Sequence, residues 1–196
     1  MLDGRAAAGS APDEILELSR TAVEYVARSL GTALDFRWET LPILDHYVRQ
    51  AQATLPGRPD LLDLLARATG AYFGEVARHA IDGFWLLGSN NLHDWRLCAR
   101  PVYLHFNPFG VAYDALCGNS EHGGPRSNLD LLFEDRATVE ARLSALPPVP
   151  EDEYYAFSTR LEVLGVAVDA VHGLMQERGY GETTYDERDY AAGYTL

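Results

Sequence analysis

The sequence predicts an α+β fold, with a small, mainly antiparallel sheet of three to four strands packed with five to six helices. Three observations carry that expectation. Apolar residues recur at three- and four-residue spacing on both sides of a central stretch, residues 70–118. Within that stretch the period changes to two. The helix leading into it carries Ala66, Gly70 and Gly74 four residues apart, a line almost without side chains where another element can approach closely.

Taken in order, residues 1–12 are small and polar and predict a disordered N-terminal tail. One domain is expected over 13–179, followed by a C-terminal tail over 180–196. A first helix opens at Pro12-Asp13-Glu14, buries Ile15, Leu18, Ala22, Val26 and Leu30, and closes at Gly31. Leu34 to Trp38 alternates apolar and polar, as a short strand does. A second helix follows from about Thr40, with Pro42 in its first turn, and breaks at Pro56-Gly57-Arg58-Pro59. Asp60 is placed to cap a third helix running to about Ile81.

Asp82-Gly83 ends that helix and starts a strand, Phe84 to Leu87. Trp95, Leu97 and Ala99 alternate with Arg96, Cys98 and Arg100. Beyond Pro101, Val102, Leu104 and Phe106 alternate with Tyr103, His105 and Asn107, which makes an antiparallel pair or one strand bent at the proline. Asn107-Pro108 turns the chain into a short helix, Val111 to Leu116, stopped by Gly118. Residues 119–128 read as an exposed polar loop, and Ser127 or Asn128 as the cap of a helical region reaching Leu146 with a break near Asp135. After Pro147-Pro148-Val149-Pro150, a long helix is expected from Glu151 to Gly179. The tail beyond it holds four tyrosines among acidic residues, and the pattern leaves open whether it docks.

Composition excludes several function classes. The net charge of −13 opposes nucleic-acid and anionic-membrane binding, which need clustered positive charge. It favours solubility, or a basic protein partner drawn by the opposite field. All 16 basic residues are Arg, so lysine Schiff-base and phosphate-loop lysine chemistry are absent from the chain. No apolar run approaches the roughly 20 residues of a membrane span. Met1 to Pro12 has no apolar segment of the kind a secretory signal carries, so the cytoplasm is the expected compartment. Cys98 and Cys117 are then expected to be reduced thiols.

The run Gly70-Ala71-Tyr72-Phe73-Gly74-Glu75, followed by Gly83-Phe84-Trp85 and by Asn107-Pro108-Phe109 before a short helix, resembles a bacterial family of domains of unknown function. Its members share a Leu-Asp motif before a helix, here Ala33-Leu34-Asp35-Phe36, and a Gly-Ala-Tyr-x-Gly-Glu helix. The similarity covers roughly residues 34–146. It implies an α+β fold and no particular reaction.

Chemistry-bearing side chains fall into three groups. Glu75 and His79 lie four apart on one helix face, a spacing that can orient a general base or form an ordinary surface pair. His93, Cys98, His105, Cys117 and His122 are zinc-competent types, with His93, Cys98 and His105 the candidate ligands. Their spacing lacks any Cys-x2-Cys or paired-His signature, and no cofactor is expected. Trp85, Trp95, Arg96, Arg100 and Tyr103 are candidate binding residues, because aromatic and arginine side chains anchor interfaces when they reach the surface. The expectation is a non-enzymatic acidic protein that binds another protein, of regulatory or immunity type. The alternative is a small hydrolase or metal-dependent enzyme using the Glu/His/Cys cluster.

Overall fold

The structure, a computed structural model, describes residues 10–181 and 183–191 of the chain. Seven α-helices accompany a four-stranded sheet among these residues, one helix more than expected. Helices α1 (Asp13–Leu30), α2 (Leu41–Gln52) and α3 (Pro59–Ala80) precede strands β1 (Gly83–Leu87), β2 (Trp95–Ala99) and β3 (Leu104–Phe106). Helix α4 (Pro108–Cys117) follows, then β4 (Asp130–Leu131), α5 (Arg136–Ser144), α6 (Phe157–Glu177) and α7 (Glu187–Ala191). The sheet order is β1-β2-β3-β4, antiparallel throughout.

Helix α3 is the spine. It is buried almost continuously from Leu65 to Arg78, lying between α1 and α4. Its two glycines explain how that is possible. A Cβ on Gly70 would sit 2.9 Å from the Phe109 Cα and from its ring, and 3.2 Å from the Pro108 carbonyl. A Cβ on Gly74 would run into the Trp85 indole. The small-residue line is therefore a seat for the start of α4 and for an aromatic ring of β1.

Sheet faces follow the period of two. Trp85, Trp95, Leu97, Leu104 and Phe106 enter the main core, while Phe84, Cys98 and Tyr103 form a second apolar cluster on the other face. Residues Phe84, Cys98, His105 and Asp130 stand opposite one another across all four strands. The C-terminal segment covers this second face. The Tyr185 amide donates to the Arg100 carbonyl at 2.8 Å, and Tyr190 stacks on Tyr103 with centroids 4.7 Å apart. The Tyr190 hydroxyl donates to the Ala99 carbonyl at 2.6 Å and accepts from the Leu104 amide at 3.1 Å. The tail thus docks as far as Ala191; residue 182 and residues 192–196 lie outside the described residues, as do the first nine residues of the expected N-terminal tail. Ala11 is already part of the core.

Three local expectations are corrected. Residues 34–38 are not a strand but a turn: Phe36 has φ +63°, its amide donates to the Tyr72 hydroxyl at 3.0 Å, and Asp35 accepts from the Arg37 amide at 3.1 Å. The apolar alternation there places Leu34 in the core and Phe36 on the Tyr72 ring, 4.9 Å away. No helix starts at Ser127 or Asn128; that segment is extended, and Asp130–Leu131 pairs with β3 before α5 begins at Arg136. The long helix starts at Phe157 rather than Glu151, because its cap comes from another helix. Asp45 of α2 accepts the Phe157 amide at 2.6 Å and the Ser158 hydroxyl at 2.6 Å, satisfying donors that α6 leaves open.

The packing makes opposite forecasts for two kinds of glycine. Gly70→Ala and Gly74→Ala should each lower unfolding free energy by about 1–3 kcal/mol, overpacking outweighing better helix propensity. Gly165→Ala on α6, where a Cβ meets open space, should raise it by up to about 1 kcal/mol. Urea unfolding of the three variants checks this; a neutral or stabilising Gly70→Ala would contradict the close seat.

Candidate functional site

The loop after α4 is held down by one buried carboxylate. Asp114, on the inner face of α4, is 2% exposed. Its Oδ1 accepts from His122 Nε2 at 2.8 Å, and its Oδ2 accepts from the Ser127 hydroxyl at 2.5 Å and from Arg160 Nη2 at 3.3 Å. The Gly124 amide donates to His122 Nδ1 at 3.2 Å, so the ring carries its proton on Nε2. Gly124 lies against the Tyr113 ring, and the Tyr113 hydroxyl donates to Asp63 at 2.6 Å. Residues 119–128 form the exposed polar loop that was expected, six of the ten being exposed. What the sequence does not show is its fastening: His122 and Ser127 tie the loop to Asp114 of α4, making it a wall beside that helix.

Besides a polar hollow of about 680 Å3 formed by residues 120–128 with Asp114, two concavities flank that wall. The larger of the two is a groove of about 910 Å3 between residues 127–131, α5, the Leu146–Val149 linker and the start of α6. Val139, Leu143 and Leu129 contribute apolar surface, and Leu146, Val149 and Tyr154 remain 39%, 42% and 52% exposed on it. Arg160 stands at its polar end, with its guanidinium carbon 5.1 Å from the Tyr154 ring centroid and 5.3 Å from that of Tyr155. Its Nε is buried without a hydrogen-bond partner. The smaller concavity is a polar cleft of about 440 Å3 lined by His93, Arg96, His105, Arg126 and Asp130.

The residues singled out from sequence divide between core and cleft. Glu75 is buried and fully engaged: Oε1 accepts from Trp85 Nε1 at 2.7 Å and Arg78 Nε at 2.9 Å, and Oε2 from Arg78 Nη2 at 3.1 Å. His79 bonds through Nδ1 to the Glu75 carbonyl at 2.7 Å, not to its carboxylate. Glu75 is thus a structural tie between α3 and β1, while His79 is exposed and bonds within α3. Trp85, Trp95 and Tyr103 are core residues, so in this fold none of them presents a surface anchor. Arg100 lies over the Phe84 ring at 4.7 Å, whereas Arg96 enters the polar cleft; the two do not share a site.

Cys98 and His105 face each other in register on one sheet face. Cys98 is fully buried, and burial pushes its thiol up to about 12, against the pull of Arg96, so a thiolate is strongly disfavoured there. Burial likewise raises the Cys117 thiol, with Asp114 adding to it. His93 joins His105 in the cleft without Cys98. Among the described residues, no group of three or more His, Cys, Asp or Glu is placed to hold a metal ion. His105 is 9% exposed, and its Nδ1 has no hydrogen-bond partner, the Asp130 carboxylate lying 3.7 Å away.

Sequence reasoning missed Asp114 and Arg160, read Asp45 only as the neighbour of His46 on a helix face, and read Ser127 as a helix cap. Asp45 and Arg160 act on elements far away in the chain, and nothing in their neighbours marks those roles. No family model matches the chain, and no significant match was found among curated proteins or solved structures. The site must speak for itself.

His105 gives the site a pH signature. Burial lowers its affinity for a proton below the ordinary 6.5, Asp130 opposing and Arg96 reinforcing that shift. A lowered folded pKa means that the unfolded chain binds the proton more readily, so the contribution is complete above pH 6.5 and fades as pH falls through the folded value. Melting temperature should therefore decline below about pH 6.5, and His105→Gln should flatten that part of the profile. A slope unchanged in the variant would contradict the assignment.

Proposed function

We propose that this chain is a non-enzymatic, acidic protein of regulatory or immunity type, cytoplasmic and bacterial, that binds a segment of a protein partner in the α5–α6 groove. The observation that supports this reading best is the exposure of Leu146, Val149 and Tyr154 on one concave surface that ends in Arg160. Apolar side chains half open to water gain by being covered, at roughly 25 cal/mol per Å2. An arginine flanked by tyrosines, with a buried N–H left unbonded, is the kind of group that becomes an interface anchor. The net charge of −13 would steer a basic partner toward the molecule, while the groove supplies apolar contact. No described helix is long and apolar enough to cross a membrane.

The hydrolase or metal-enzyme alternative finds less support in the geometry. The Glu75 carboxylate already accepts three hydrogen bonds from protein donors, and the Cys98 thiol is buried among aromatic rings. Asp114 lies between His122 and Ser127 rather than behind the histidine, so His122 is not placed to take the Ser127 proton.

A photo-crosslinking amino acid placed at Leu146 or Val149 in the source cell should give a discrete protein adduct, and the same residue at Leu64, exposed but outside the groove, should not. Leu146→Asp should weaken that partner's binding by about tenfold or more. Absence of a groove adduct, or the same adduct from Leu64, would contradict the reading.

A further inference from the structure

The polar cleft on the other side of the 119–131 wall is not used by the groove reading, and its chemistry is different. Arg96 reaches it from the outer face of β2, Arg126 from the wall, and His93 from the turn before β2. Neither arginine makes a hydrogen bond or ion pair with another described residue. His105 adds a ring whose buried Nδ1 is also unpartnered. Arg96, Arg126 and His105 thus converge on one concave space with hydrogen-bonding capacity unused by the described residues. Arg126 is exposed and Arg96 half-buried, so water reaches them, but the His105 nitrogen is buried, and such a group is costly to leave unbonded unless something else satisfies it.

We propose that this cleft is a binding site for a carboxylate, held by the guanidinium groups of Arg96 and Arg126 with His93 and His105 beside it. The charge present selects this anion. Asp94 and Asp130 also line the cleft, so two arginines meet two carboxylates; Asp94 is already engaged by the Ser89 hydroxyl at 2.6 Å. A monoanion adds one negative charge to that balance, whereas a phosphate dianion adds two inside a protein of net charge −13. Carboxylate is also planar and matches the guanidinium fork through two parallel N–H bonds. The volume of about 440 Å3 suits a small molecule or one acidic side chain. Because Asn128 and Asp130 border both concavities, the carboxylate is either a free small acid or an acidic side chain of the segment lying in the groove.

Nuclear magnetic resonance titration of the full chain decides between these sources and tests the site. The probes are propionate, the capped peptide acetyl-Ala-Glu-Ala-amide, inorganic phosphate and chloride, all at one ionic strength. Saturable shifts confined to residues 93–96, 104–107 and 126–130 are expected with propionate if the ligand is a free acid, and with the peptide alone if it is protein-borne. Either result supports the site. Arg96→Gln and Arg126→Gln should each weaken binding by about tenfold, with melting temperature unchanged, since neither side chain holds the fold together. Arg96→Lys, which keeps the charge but not the fork, should restore part of that loss, and Arg20→Gln should bind as the natural chain does. No saturable shift with either carboxylate would overturn the proposal. So would equal shifts with chloride, tighter binding of phosphate, or full affinity in the Arg96→Gln/Arg126→Gln double variant. Because these measurements leave the groove untouched, their failure would leave the partner-binding reading standing.

Discussion

The close approach of α4 and Trp85 to the glycine line of α3 is the constraint from which the rest of the architecture follows. Gly70 admits the backbone of Phe109, and Gly74 admits the indole of Trp85. Two helix-interior glycines cost about 2 kcal/mol relative to alanine. Burying one tryptophan and one phenylalanine, at roughly 150–250 Å2 each and 25 cal/mol per Å2, returns several times that. Shape therefore wins over local propensity. Once Trp85 is seated, its N–H meets Glu75, Glu75 meets Arg78, and β1 is locked to the helix that precedes it. Once Phe109 is seated, α4 points Asp114 inward, and the wall of residues 119–128 is organised around that carboxylate.

A common logic governs the buried acids. Glu75, Asp45 and Asp114 each accept several hydrogen bonds and each joins separate elements: α3 to the strand that follows it, α2 to the distant start of α6, and α4 to the next loop and to α6. Breaking a buried pair by removing one member costs about 3–5 kcal/mol, so these residues have strong structural reasons to be acidic. Their demand is met inside the protein. Unused donor capacity lies elsewhere, on Arg160 in the groove and on Arg96, Arg126 and His105 in the cleft. Both places lie beside the loop that Asp114 fastens to α4.

Most of the fold was legible because it is written in local periodicity. The faces of α1, α2 and α3, the strands around Phe84, Leu97 and Leu104, and the Gly31, Gly118 and Gly179 stops follow from residue spacing and from glycine's access to positive φ. Errors arose where distant groups decide local structure. Leu34 to Trp38 has the alternation of a strand, but Tyr72, from another helix, captures its backbone into a turn. Residues 128–131 have helix-like spacing, but β3 offers an open edge and pairs with Leu131 and Asp130. Helix α6 begins late because Asp45, far back in the chain, supplies its cap. Candidate chemistry was harder still. Glu75 and His79 carry the spacing of a catalytic pair, yet Trp85 and Arg78 take the carboxylate. Arg96 and His105 were named for separate reasons, and only the sheet register together with the pinned loop places them in one cleft.

Native-state hydrogen exchange tests the central claim most directly. If the seam between α3 and α4 holds the fold together, amides from Gly70 to Val76 and from Phe109 to Ala112 should share one protection level, equal to the global unfolding free energy. Amides of the 119–131 wall should exchange through smaller openings. Seam amides that exchange through local openings while the sheet stays protected would show that the close approach is incidental, and the account would fail.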